Sequence, residues 1–542
     1  MPTVEFDTAE LMRLVGKKMP LDELEYKAAM LGTSVEQATE DKMVVEVFPN
    51  RPDMLSVEGF ARALRNFIGS GGYKEYKAVD SPLELKVDKS VKGIRPYVVS
   101  AAIKNIKITD EVLISIMQVQ EALHSSHGRK RAKVAIGIHD MDKTTPPYEY
   151  KAVKPNSMHF VPLDYSEGMS LKEVLEKHPK GEKYRHIIHK KELYPVILDK
   201  EGVVSLPPII NAERTRVTSS TKNLFIEMTG TNKRALQQTL NIVATSLADR
   251  GGEIVAVKVG GERMPSLKPE VMRIRANYAK MLLGVDMEGK NLEKLLGKMG
   301  YGLKNASETV LDVLVPPYRS DVLHPMDIVE DLAIAYGYEN FAPKETDMAT
   351  VGEELEFEAY SSKIRNLMIG LGFQEIVSFA LTNEDALKKA GLVDTNTAVR
   401  IKNPRTVDFT LVRPSLIPGM LDTLAYNKKK RIPQKLFELD DVVAGKKDYA
   451  NRRRLCFCIL DWEVNFSQAQ SVVESLLGNI KVGIKLRGMK AETFIPGRCA
   501  EIVSGKDRIG ILGEVHPQVL ENFGIEYPVA MAELDIGRKK PV

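Results

Sequence analysis

Cysteine is scarce in this chain: Cys456, Cys458 and Cys499 are the only three in 542 residues. That is too few for a disulfide framework, so a reducing cytoplasm is the expected setting. Two of them sit in LCFCIL, which reads as a buried strand. No apolar run is long enough to span a bilayer, and no basic start leads into an apolar core. Neither a membrane span nor a secretory leader is therefore expected. A charge excess is missing too. Against 77 basic side chains stand 73 acidic ones, a formal net charge of +4, which neither demands nor excludes nucleic acid. No Ser-His-Asp order can be traced, and no cysteine reads as a nucleophile. What is present is ordinary globular material: 43% hydrophobic residues, and length for roughly three to five domains.

The most informative stretch is VPPYRSDVLHPMDIVEDLAIAYGY, from Val315. It carries Asp321, Asp327, Glu330 and Asp331. The last three fall at i, i+3 and i+4 and share one face of a helix. Pro325 suits a first helical turn, so the helix is predicted to start there. Hard oxygen donors in this number suit Mg²⁺. Acids also gather in a first turn simply to oppose the helix dipole, and spacing alone leaves both readings open. No glycine-rich phosphate loop or evident general base lies nearby, which weighs against a free-standing Mg²⁺-dependent hydrolase.

This stretch has an imperfect twin, FPNRPDMLSVEGFARAL, from Phe48 to Leu64. Arg51 and Asp53 align with Arg319 and Asp321, and Val57-Glu58 with Val329-Glu330. Upstream, both copies read as helix, short polar link, helix ending near Gly, then a hydrophobic strand into Pro. Two distant copies indicate a duplicated module rather than a solenoid. The first copy has Gly59 in place of Asp331 and nothing in place of Asp327. It is expected to keep the scaffold without the ion.

The chain divides into an N-terminal module (1–90), a mixed segment (91–262), the second copy of the module (267–344) and a last domain (352–542). In the mixed segment, EVLISIMQVQEALHSSHGRKR is predicted helical and NLFIEMTG a strand placing Glu227 and Thr229 on one face. Two clusters there suggest a pocket: AIGIHDMD with His139, Asp140 and Asp142, and SLPPIINAERTRVTSSTKNLFIEMTGTN with Asn211, Glu213, Thr215 and Thr218. Small polar groups around one buried acid suit recognition of a hydroxyl or amino group. Equally, they could serve turns and caps. NKKKR (Asn427 to Arg431) and NRRR (Asn451 to Arg454) are basic runs that would either meet RNA phosphates or stay solvated.

These motifs, with LVRPSLIPGML, PGRCAEI and GILGEVHP, occur in an order that resembles the β-subunit family of phenylalanyl-tRNA synthetases, from Val4 to about Ile536. The length is similar to the shorter archaeal and eukaryotic type. The extra RNA-binding and anticodon-reading domains of bacterial relatives are not expected here. The resemblance implies an α+β multidomain fold: duplicated helix/strand modules, a mixed α/β editing domain and a class II synthetase-like antiparallel sheet. It implies Mg²⁺ on Asp321, Asp327, Glu330 and Asp331, near a partner α subunit in an (αβ)₂ heterotetramer. It also implies an editing pocket for tyrosine mischarged onto tRNA(Phe), carried by Leu206, Thr215, Glu227 and Thr229 with Asn211 and His139. A class II active fold needs an arginine that grips the ATP phosphate bidentately. KLFELDDVV has Leu436 where that arginine is expected, so ATP and phenylalanine sites are expected on α. A non-catalytic RNA-binding or scaffolding relative is the alternative.

Overall fold

The computed structural model of the chain describes residues 2–285, 289–307, 309–345, 348, 350–392, 398–445 and 449–538. Two compact units emerge, Met1–Glu345 and Thr346–Val542.

In the first unit the duplication is explicit. The strand Thr3–Asp7, helices Thr8–Val15 and Leu21–Met30, strands Ser34–Ala38 and Lys42–Glu46, and helix Val57–Phe67 recur in the same order. Their counterparts are Glu270–Arg275, Ala276–Leu283, Gly289–Lys298, Gly302–Ala306, Val310–Val315 and Pro325–Tyr336. Each copy forms a three-stranded antiparallel sheet with the last strand in the middle. Each has a register shift at the same place, after Val35 and after Leu303. The first helix of each copy closes on a left-handed glycine, Gly16 or Gly284, as a short C-terminal cap requires. The Arg-x-Asp motif is an internal fork in both. Arg51 donates to both Asp53 oxygens at 2.9 Å, and Arg319 reaches Asp321 at 2.7 Å.

Gly59 explains one difference between the copies. A Cβ there would lie 1.8 Å from the Asp53 carbonyl oxygen. The shorter first copy brings backbone where the second carries the Asp331 side chain. Gly59→Ala is therefore expected to lower stability by about 2–3 kcal/mol, the cost of overpacking a rigid backbone contact. Urea denaturation checks this, and a change within 0.5 kcal/mol, roughly the surface-mutation range, would sink it.

Between the copies lie two sheets. One is four-stranded and antiparallel, ordered Glu253–Val255, Tyr97–Lys104, Leu224–Gly230, Val134–Asp140. The other has seven strands and includes Gly202–Leu206 next to Ile210–Asn211. Glu84–Val87, read from the sequence as the end of the first module, pairs in parallel with Tyr148–Val153 and Val257–Val259 of that larger sheet. The helix Lys233–Asp249 lies on the four-stranded sheet with Leu236, Leu240, Val243 and Leu247 buried. Its C-terminal end ties in the first module. Asp249 accepts from Arg62 and from the Tyr76 hydroxyl at 2.9 Å, and Arg250 donates to Glu58 at 2.6 Å.

One predicted helix ends early. The expected helix through GRKR stops at Ser125. Arg129, Lys130 and Arg131 then take left-handed backbone angles (φ of 49°, 52° and 68°). Each such residue costs about 1–2 kcal/mol. The Arg131 contacts described below offset part of that cost.

The second unit is built on one seven-stranded sheet: Gln374–Glu375, Gln434–Ala444, Ala450–Leu460, Val529–Arg538, Asp507–Val515, Phe494–Ser504, Lys485–Gly488. All neighbours are antiparallel except the first pair. Helices Glu356–Gly370 and Phe466–Asn479 bury Ile364, Met368, Val473 and Leu476 on one face. Helices Ile417–Tyr426 and Pro517–Phe523 cover the other, where Cys456 and Cys458 are core residues.

Candidate functional site

A cavity of about 380 Å³ opens in the first unit between helix Asp110–Ser125, strand Val134–Asp140 and the Gly202–Asn211 hairpin. One wall is apolar, formed by Ile136, Ile138, Leu206 and Ile209, while Glu121, Arg131, Asp164, Lys180 and Arg216 also line it. Glu227 enters as a lone buried acid, 2% exposed. Of the residues singled out from the sequence, Leu206, Asn211, Thr215 and Glu227 line this cavity. His139 stands directly behind it, fully buried. Thr229 does not reach the cavity; its hydroxyl accepts from Arg95 Nε at 2.8 Å. Period two placed it on the Glu227 face, but Arg95 fills the space in front of it.

The hydrogen bonds fix what the acid can do. Ser205 donates to Glu227 Oε1 at 2.9 Å. Thr215 donates to the Ala212 carbonyl at 3.1 Å, so its oxygen accepts the proton on His139 Nδ1 at 2.9 Å. This network places a proton on His139 Nδ1. Nε2 lies 3.9 Å from Glu227 Oε1. Both His139 Nε2 and Glu227 Oε2 are buried without a hydrogen-bond partner. Two buried polar atoms without a partner call for one, and such atoms left alone cost about 1–3 kcal/mol each. The strand leaves room for them only because residue 137 is glycine. A Cβ there would come within 2.4 Å of Glu227 and 2.9 Å of the His139 ring.

Three supporting residues were not visible from spacing. Arg95 is buried, with its guanidinium on the carbonyls of Arg131, Ala132 and Thr229. Burial brings its pKa down to about 10. Arg131 donates to the Ile209 carbonyl at 2.9 Å, lies over the Tyr184 ring and pairs with Glu121. It thereby holds the cavity rim. His124 Nε2 accepts the Ile136 amide at 2.8 Å, and burial brings its pKa down to about 4. It is a neutral structural histidine. Only the left-handed GRKR turn hinted at this group, through its glycine.

The acidic motif is arranged differently from the expectation. Helix Pro325–Tyr336 does begin at Pro325. Arg319, 6% exposed, donates to Asp321 at 2.7 Å and to Asp331 at 2.6 Å. Asp331 also accepts the Tyr301 hydroxyl at 2.5 Å. Burial works to raise the Asp321 pKa, and Arg319 more than offsets it. Asp327 accepts from the backbone amides of Leu323 and His324, a capping role. Glu330 is exposed. Among the described residues no group of three or more His, Cys, Asp or Glu side chains is disposed to hold a metal ion. The four acids thus do not converge as one carboxylate cage. The reason is Arg319, whose fork neutralises two of them.

In the second unit the basic run NRRR is internally paired. Arg452 meets Asp535, Arg453 meets Asp441 and Glu358, and Arg454 meets Glu533. Lys428 to Arg431 are exposed. Arg413 is buried on Glu438 at 2.7 Å and also pairs with Asp440. Leu436 is a core residue.

Duplicated modules flanking a pocket domain, followed by a domain on a mostly antiparallel seven-stranded sheet, are the parts of an aminoacyl-tRNA synthetase subunit, and comparison with known proteins narrows that class. Profiles for the B3/4 domain match residues 81–250, for the tRNA synthetase B5 domain residues 272–338, and for the phenylalanyl-tRNA synthetase beta chain CLM domain residues 344–536. The phenylalanine–tRNA ligase beta subunit of Archaeoglobus fulgidus is 41% identical over 99% of this chain and 98% of its own length. That of Methanocaldococcus jannaschii is 40% identical over 99% of this chain and 100% of its own. A crystal structure of an N-terminal fragment of the Pyrococcus horikoshii beta subunit superposes with a TM-score of 0.59 and 36% identity, covering 62% of this chain and 99% of the fragment. The chain belongs to the phenylalanine–tRNA ligase beta subunit family, in its archaeal form.

Proposed function

We propose that this chain hydrolyses tyrosine mischarged onto tRNA(Phe) while a partner α subunit activates phenylalanine and charges the tRNA. The observation that carries the editing reading is the pair of buried polar atoms without a partner, Glu227 Oε2 and, behind it, His139 Nε2, beside the apolar wall of the cavity. Tyrosine differs from phenylalanine by one hydroxyl donor. An aromatic ring fits among Leu206, Ile136 and Ile138, and its hydroxyl satisfies the Glu227 carboxylate. Phenylalanine would leave that acid desolvated and unpaired. Sites built on such a bond discriminate by up to about 10⁴–10⁵. Thr215 and Ser205 are positioning residues: one accepts from His139 Nδ1, the other holds one Glu227 oxygen.

The second unit supports activation elsewhere. On the sheet face beneath helix Ile417–Tyr426, Arg413 and Arg454 are spent on Glu438 and Glu533. No arginine described on that face is free for an ATP phosphate. Its role in the proposal is to seat α in an (αβ)₂ assembly working on tRNA(Phe) in the cytoplasm. Among the described residues no helix is long and apolar enough to cross a membrane. The Mg²⁺ reading fits only in part. Asp327 and Glu330 are the acids left outside the Arg319 fork, and Mg²⁺ commonly takes one or two carboxylates and keeps its waters.

The test is hydrolysis of Tyr-tRNA(Phe) and Phe-tRNA(Phe) by the full chain with α. Preferential release of tyrosine is expected; equal stability of both esters would leave a scaffolding subunit.

A further inference from the structure

A second polar pocket lies away from Glu227 and His139, between helix Lys233–Asp249 and the loop leaving strand Val310–Val315. It holds about 200 Å³. Arg234, Gln237, Gln238 and Asn241 line it from the helix, at i, i+3, i+4 and i+7 on one face. Lys268 faces them from the connecting segment. Among the described residues Arg234 and Lys268 are exposed and enter no ion pair, and the two glutamine amides are half-buried without a hydrogen bond. Asn241 is 8% exposed. Its amide nitrogen donates to the carbonyls of Ser266 and Pro317 at 3.0 and 3.1 Å, which fixes the side-chain orientation. Its oxygen is buried and has no partner.

The Asn241 oxygen is the costly feature without a ligand: an unpartnered buried carbonyl forfeits about 1–3 kcal/mol. The composition of the site names its ligand. Two unpaired cations suit a phosphate, planar amides suit the hydrogen-bonding edges of a base or ribose, and the Asn241 oxygen requires a donor such as an exocyclic amine or a 2′-hydroxyl. One acid, Glu270, is on the rim.

We infer that this pocket is a docking site for one nucleotide of the tRNA, with its phosphate on Arg234 and Lys268 and a base or ribose donor on Asn241. The inference rests on the family reading for the identity of the RNA. It does not depend on editing.

The experiment compares tRNA(Phe) binding by the full chain with α, for wild type and Arg234→Gln/Lys268→Gln, across a range of salt. Thermal unfolding of each is followed alongside. A control, Lys17→Gln/Lys27→Gln, removes the same charge elsewhere. The expected result is at least tenfold weaker binding at 0.15 M salt for the pocket variant only. The slope of log K against log salt should become shallower by roughly 1, because one phosphate would no longer be neutralised by the protein. Tyr-tRNA hydrolysis at saturating tRNA should be kept, which separates this site from the editing cavity. Gln237→Ala/Gln238→Ala, which leaves charge unchanged, should weaken binding without changing the slope. Equal Kd and slope in wild type and the pocket variant would overturn the inference. So would a weakening no greater than in the control, or protection of the pocket by free AMP with tRNA affinity unaffected.

Discussion

Glu227→Gln should lower hydrolysis of Tyr-tRNA(Phe) about ten- to hundredfold while leaving Phe-tRNA(Phe) synthesis by the complex unchanged. The substitution keeps the volume of the side chain and the Ser205 contact. What it removes is the charge on an acceptor whose second oxygen has no partner in the protein. A hydrogen bond to a charged group contributes about 1.5–3 kcal/mol, and each 1.4 kcal/mol is a factor of ten. Thr215→Ala should act in the same direction and more weakly, because it frees the His139 ring without touching the acid. Rates of tyrosine release under single-turnover conditions measure both. If synthesis falls as far as hydrolysis, Glu227 serves the fold and not the substrate.

Arg319→Met should destabilise the first unit by about 3–5 kcal/mol. The guanidinium is the common partner of Asp321 and Asp331, and its removal leaves buried carboxylates without compensation. Adding Asp331→Asn should restore part of the stability, since that removes one stranded charge while an amide can still accept from Tyr301. Hydrogen exchange in strand Glu270–Arg275 reports this unit directly within the full chain. A destabilisation below 1 kcal/mol, or no recovery in the double variant, would mean the fork is a surface-like pair of small worth. The same variant bears on the metal. If the fork alone organises these acids, added Mg²⁺ will not rescue stability; rescue would show that the acids can regroup around an ion.

The duplication was legible because it repeats chain chemistry: glycine-closed helices, a hydrophobic strand into proline and an Arg-x-Asp fork recur at matching offsets. The strand carrying Glu227 followed from period two, and the strand through Cys456 and Cys458 from its apolar run. The cavity was half legible. Leu206, Asn211, Thr215 and Glu227 come from one ordered stretch of sequence, and their types announced a polar recognition site. Thr229 did not follow, because alternation along a strand sets the face but not what occupies it, and Arg95 arrives from more than a hundred residues away. The surroundings of the acidic cluster were hidden for a related reason. Helical spacing puts Asp327, Glu330 and Asp331 on neighbouring positions, yet it says nothing of the arginine two residues before Asp321 that turns back onto the helix. Left-handed Arg129 to Arg131 had no signal beyond the preceding glycine, and the contacts that go with the turn, Arg131 on Tyr184 and on the Ile209 carbonyl, come from distant sequence.

Phenylalanine-dependent ATP–pyrophosphate exchange, measured for this chain alone and then with an α subunit, tests the division of labour most directly. Arg413 and Arg454, on the sheet face beneath helix Ile417–Tyr426, are committed to Glu438 and Glu533, so the chain alone should be silent and the complex active. Exchange by the chain alone would contradict the account, and would place a working ATP site on the sheet face where Arg413 and Arg454 are already paired.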